Sequence, residues 1–177
     1  MLGLGNAIPT GSSSDTLLGA YYSNFVSGAG SWAKYSVDQG DLTITSNETI
    51  DSTGGWFKGV YTETQTSSSG ITRNNIIVPA DEKSGDYYKV SFKIYLGGTD
   101  WDGSDDVTVY HTYGGQGINS AVAQDDTVLY SGEATISSGS YANLTNIYVL
   151  TSSDYPQADS FIAIKDYKLE LYRPAGN

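Results

Sequence analysis

The 177-residue chain contains no cysteine. That excludes a disulfide framework, a thiolate zinc site and a thiol nucleophile. Histidine is nearly absent too: His111 is the single one. No Gly-x-Ser-x-Gly elbow accompanies it, so a serine-histidine hydrolase is not expected and a structural role for His111 is. Basic residues are scarce, 9 Lys and Arg against 20 Asp and Glu, for a formal charge of −11. A surface this negative, with no basic stripe, repels phosphate backbones and argues against nucleic acid as a partner. No apolar run approaches the roughly 18 residues that span a bilayer, so no membrane insertion is expected. The first basic residue is Lys34. A positively charged leader is therefore missing, and no secretory signal is expected.

Tyrosine is abundant: 15 residues, against 4 Phe and 3 Trp. Its ring packs while its hydroxyl stays wet, which suits half-buried strands. From Ser31 onward apolar residues recur with a period of two, and no stretch sustains a helical period. The alternation predicts strands at Trp32–Val37, Asp41–Thr45, Trp56–Tyr61, Ile76–Val78 and Asp86–Leu96. Further strands are expected at Asp106–Tyr113, Thr127–Tyr130, Glu133–Ile136, Leu144–Leu150 and Phe161–Tyr172. In Asp86–Leu96, the row Tyr88, Val90, Phe92, Ile94 and Leu96 is expected to face inward. Clusters of Gly, Ser, Asp and Asn separate the strands at intervals of roughly 8–12 residues, as in sandwiches. The fold class predicted is all-β, with two packed antiparallel sheets.

Residues 1–20 differ in character. Their glycines, Pro9 and the Ser12–Ser14 run oppose regular structure, yet Leu2, Leu4, Ile8, Leu17 and Leu18 are spaced through them. The segment reads as an extended anchoring arm whose five apolar residues bind a partner, ahead of a sandwich domain at 21–177. Its other reading is a frayed tail.

Asp100, Asp102 and Asp106 recur at even spacing in an acidic loop that resembles the start of a calcium site. No cofactor is required, and calcium is the ion such a loop would take; a solvated acidic turn is the other reading. Trp101 lies inside that loop, where it either stacks on a sugar or caps the sandwich edge. With the strand residues Tyr110 and Tyr113 it forms the candidate carbohydrate site. The five glutamates, Glu48, Glu63, Glu82, Glu133 and Glu170, are dispersed along the chain, so the paired carboxylates of a glycosidase are not expected and the protein is read as non-enzymatic.

The order Gly30-Ser-Trp32, Leu42 and Ile44, Trp56 with Gly59-Val60, Ser84–Phe92 and finally Phe161–Leu169 resembles the carbohydrate-binding-module family of galactose-binding-like β-jelly rolls. The likeness covers about residues 24–172. It implies a two-sheet jelly roll with Trp32 and Trp56 as packing residues. Such folds also serve in bacteriophage virions, and the Met1-Leu-Gly-Leu-Gly-Asn6 start is similar to those of small phage structural proteins. The resemblance therefore implies a virion structural protein, a capsid decoration or tail component. It would be assembled in the host cytoplasm, with other virion proteins and copies of itself as partners. The alternative is a carbohydrate-binding module or adhesin that recognises a polysaccharide or host glycan.

Overall fold

Alternating sequence dictates extended chain, and the computed structural model arranges that chain as eleven strands in two antiparallel sheets. It describes residues 14–35, 42–65, 69–74, 83–98, 106–111, 116–121, 125–136, 144–150 and 156–177, none of them helical. The first sheet runs β3 (Leu42–Ile50), β4 (Thr53–Tyr61), β11 (Phe161–Arg173), β6 (Tyr87–Gly97), β9 (Val128–Thr135), and β1 (Thr16–Ser23) also pairs with β11. The second runs β2 (Trp32–Tyr35), β5 (Ser69–Asn74), β10 (Leu144–Leu150), β7 (Asp106–His111), β8 (Gln116–Ala121). Numbering follows the chain. The fold is the expected all-β jelly-roll sandwich.

The inward row of β6 lies as its alternation requires: Tyr88, Val90, Phe92, Ile94 and Leu96 are all buried. Opposite it, β11 changes phase. Ile162 and Ile164 face the core at even positions, then Tyr167, Leu169 and Leu171 at odd ones. A bulge resolves the conflict, because Lys165–Lys168 on β11 spans only Lys93–Ser91 on β6. Asp166 sits there at φ 54°, a left-handed value that Asp tolerates better than most residues. At the same point β11 changes partner, from β4 at residues 161–164 to β1 at 167–173.

The sheets close on an aromatic cluster. Trp32 meets Tyr167 edge-on at 4.9 Å, Phe25 lies 5.3 Å from Phe57, and Phe92 stacks on Tyr130 at 4.7 Å. Trp56 is buried in a smaller cluster with Ile50 and Ala163. Both tryptophans thus pack, as the family likeness implied.

Several expectations change. Residues 16–20, set apart as arm, belong to β1 within the sandwich. The sequence reading did not include β5 and β8. The two short strands expected at 127–136 are one, β9. Tyr87 and Tyr88 occupy opposite faces, yet both are buried. Tyr87 stacks on Tyr172 at 5.5 Å and donates a hydrogen bond to Asp15. The strand expected at Ile76–Val78 lies outside the described residues.

One ion pair joins the start of β6 to the end of β11. Arg173 Nε and Nη2 donate to the two carboxylate oxygens of Asp86 at 3.0 and 2.9 Å, and the Asp86 side chain is fully buried. Burial pushes this carboxyl up, but the Arg173 fork and the Lys83 backbone N–H outweigh it and hold the group below its ordinary 3.8. A lowered folded value means that Asp86 stabilises the protein above about pH 4. The contribution is lost as pH falls through that lowered value. Arg173→Met should cost about 3–5 kcal/mol in denaturant unfolding, because it strands a buried carboxylate, and should move acid unfolding to higher pH. Loss of less than about 1 kcal/mol would show that the pair is dispensable.

Candidate functional site

In an antiparallel sheet, cross-strand register decides which residues share a face. Ile71 is buried in the core. Lys34, Ile147, Val109 and Ile118 hold the same row and so the same face of the second sheet. The alternate rows form the outer face, on which Thr72 and Gly70 of β5 are themselves buried. One is Ala33, Thr72, Asn146, Tyr110 and Gly117; the next is Tyr35, Gly70, Tyr148, Thr108 and Asn119. Each row crosses five strands, about 19 Å at the usual strand spacing. These ten positions hold three tyrosines, four Asn and Thr, two glycines and one alanine. None carries a charge, in a chain with a formal charge of −11.

The outer face of the first sheet is built differently. Its rows run Tyr22, Lys168, Ser91, Ser131 and Ala20, Glu170, Lys89, Glu133 across β1, β11, β6 and β9. Tyr22 is 59% exposed, and its hydroxyl donates to Glu170 Oε1 at 3.1 Å. Lys168 Nζ lies 2.9 Å from the same oxygen and 5.6 Å from the Tyr22 ring centre. Burial raises the Glu170 carboxyl, but Lys168 and the Tyr22 hydroxyl outweigh it and hold it below the ordinary value. The hydrogen bond to Glu170 in turn raises Lys168. Lys89 pairs with Glu133 at 3.8 Å and Lys93 with Asp166 at 3.2 Å. Two clefts open on this face. One, of about 560 Å³, is lined by Tyr22, Asn24, Ser91, Asp166 and Lys168 among others. The second, of about 410 Å³, is lined by Lys89, Ser91, Ser131, Gly132, Glu133 and Glu170 among others.

Glu133 and Glu170, dispersed in sequence, therefore share one cleft with Lys89 between them. A glycosidase pair needs one carboxyl raised so that it can act as an acid. Glu170 is shifted the opposite way and is held by an ammonium. The arrangement offers hydrogen bonds, and as a general acid Glu170 is unsuited.

Of the residues singled out in the sequence, Tyr110 stands on the outer face of the second sheet, and Asp106 occupies the next row of that face beside Leu150 and Ala121. Leu17 is 49% exposed on β1, whereas Leu18 packs against the core. Leu2, Leu4, Ile8, Asp100, Trp101, Asp102 and Tyr113 lie outside the described residues. Among the described residues no three or more His, Asp or Glu group as metal ligands, and no helix is long and apolar enough to cross a membrane. Sequence reasoning missed Asn146, paired with Tyr110, and Tyr148 and Tyr35 in the next row, since only strand pairing puts them on one face. His111 falls in the core-side row with Thr145, Arg73 and Trp32.

No family model matches the sequence, and no curated protein matches it either. Solved structures do share the fold. The CBM22-1 xylan-binding domain of Paenibacillus barcinonensis Xyn10C superposes with a TM-score of 0.57 at 14% identity, over 92% of this chain and 98% of that one. The CBM22-1–CBM22-2 tandem of the same enzyme gives 0.55 at 12% identity, over 95% and 49%. A cyclase from Fischerella sp. TAU gives 0.51 at 9% identity, over 90% and 100%. The chain has a carbohydrate-binding-module jelly-roll fold. Because a cyclase shares it, the fold does not decide the chemistry.

The register is open to a direct test. Ile71→Ala, on the core face, should cost about 2–5 kcal/mol in urea unfolding. Tyr110→Ala, on the other face, should cost under about 1 kcal/mol. Similar losses for the two would contradict the assignment of faces.

Proposed function

We propose that this protein is a non-catalytic glycan-binding module whose ligand lies across the outer face of the second sheet. One observation carries the reading. Ten register positions spanning five strands hold tyrosine, Asn, Thr and small residues without a charge. An aromatic ring offers a flat apolar face to the C–H side of a pyranose, and amide and hydroxyl groups match its hydroxyls. A neutral polysaccharide demands this combination, whereas a polyanion would demand lysine or arginine. The shared fold of the xylan-binding domain supports the same ligand class and ranks this reading above the virion one, whose distinguishing residues, Leu2, Leu4 and Ile8, lie outside the described chain. A particle-borne module that binds host glycans would use the same face.

Native gels containing soluble xylan, mixed-linkage glucan or galactomannan should retard the protein. Tyr110→Ala and Tyr148→Ala should each weaken binding about tenfold, or ~1.4 kcal/mol. Because the face is uncharged, raising salt from 0.05 to about 0.5 M should change the affinity by less than about twofold. Reducing-sugar assays on the same polysaccharides should stay at background. Strong weakening by salt would point instead to a charged ligand.

A further inference from the structure

The first sheet carries a second candidate surface that the reading above does not use. Ser91 lines both of its clefts, and the two together make a trough across β1, β11, β6 and β9. Three inter-strand steps make it about 14 Å long, the length of roughly three sugar rings. Its floor is small, Ser91, Ser131 and Gly132. One wall is Glu170, Lys89 and Glu133; the other carries Asp166, which Lys93 pairs from outside the clefts.

The charges along the trough alternate and cancel. Lys168, Lys89 and Lys93 pair with Glu170, Glu133 and Asp166, so the surface is locally neutral although the chain is strongly acidic. Neither a polyanion nor a cation gains from such a lining, because each would have to break an existing pair. A neutral polyhydroxyl chain gains from it directly. Carboxylates accept from sugar hydroxyls and ammonium groups donate to them, without loss of the pairs. At one end stands the Tyr22 ring, exposed but fixed by its hydroxyl bond to Glu170. A ring already fixed loses little entropy when a sugar stacks on it. An extended peptide is the poorer occupant. Peptides add to sheets by lying alongside an edge strand, whereas this trough runs across the strands.

We infer that this trough is a second glycan-binding site, for a neutral oligosaccharide of about three units, with Tyr22 as its stacking platform. Only the ligand class rests on the preceding proposal; the surface and its residues are independent of it. The test uses affinity electrophoresis of the full chain in the same three neutral polysaccharides. Ser91→Trp fills the floor, Tyr22→Ala removes the platform, and Tyr110→Ala, made together with Tyr148→Ala wherever it appears in this test, disables the opposite face. In a Tyr110→Ala background a residual retardation should remain, and either Tyr22→Ala or Ser91→Trp should reduce it about tenfold. Residual binding that neither change touches overturns the inference, as does complete loss of binding in Tyr110→Ala alone, which would leave the opposite-face reading intact. Loss of all binding in Tyr22→Ala, with Tyr110→Ala binding normally, would uphold the trough and refute the opposite face. Absence of retardation in the unmodified protein would refute both.

Discussion

Everything in the first sheet depends on one extra residue in β11. A strand can bury only every second side chain, and a slip of one position exchanges its two faces. Without the bulge at Lys165–Lys168, the odd positions that bring Tyr167, Leu169 and Leu171 inward would instead bury Asp166, Lys168 and Glu170. Burying those charges would cost far more than the strained Asp166 backbone does. With the bulge, Tyr167 reaches Trp32, Phe92 and Tyr21, at 4.9, 5.9 and 6.0 Å, and ties the two sheets together. The same irregularity marks the place where β4 gives way to β1 as the neighbour of β11. A gap between two partner strands on one edge leaves room, and the larger cleft opens there.

The acidic surplus is distributed so as to leave both broad faces near neutrality. On the first sheet the lysines and carboxylates match one another. On the second, the two outer rows carry no charge. Exposed acids without an ion pair of that kind, such as Asp51, Asp125, Asp126 and Asp159, sit instead at turns and strand ends.

Much of the fold was legible because β6, β10 and β11 carry their own signal: several apolar residues each at period two. The bounds expected for β10 are those observed, and β6 differs by one residue at either end. The strands that escaped notice carry little apolar content of their own. In β5, Ser-Gly-Ile-Thr-Arg-Asn, and β8, Gln-Gly-Ile-Asn-Ser-Ala, a single isoleucine supplies the large apolar side chain. Such segments are strands because neighbours offer them hydrogen bonds and a buried row, a cause that lies elsewhere in the chain. In β1, Gly19 interrupts the alternation beside a register shift. The bulge in β11 is written in the sequence as the change from Ile162 and Ile164 to Tyr167, Leu169 and Leu171. The candidate site was far less legible. Tyr110 was identified, but its neighbours Asn146 and Tyr148 belong to β10, and only pairing makes them neighbours. Glu133 and Glu170 escaped as a pair for the same reason.

A two-layer sandwich explains why two such surfaces can coexist on one small domain. Each antiparallel sheet commits one face to the core and leaves the other to solvent, and no helix among the described residues covers either outer face. The inner faces are constrained by packing and have converged on the same apolar and aromatic residue types. The outer faces are free to diverge, and they have. One presents tyrosines and amides in uncharged rows; the other presents small residues between paired charges with a fixed tyrosine at one end. Mere solvation would tolerate scattered lysines and aspartates on both faces alike. The absence of charge from two rows of one face, with Asp106 in the row beyond, and its mutual cancellation on the other face are separate routes to local neutrality in an acidic protein. They point to ligands that are themselves uncharged.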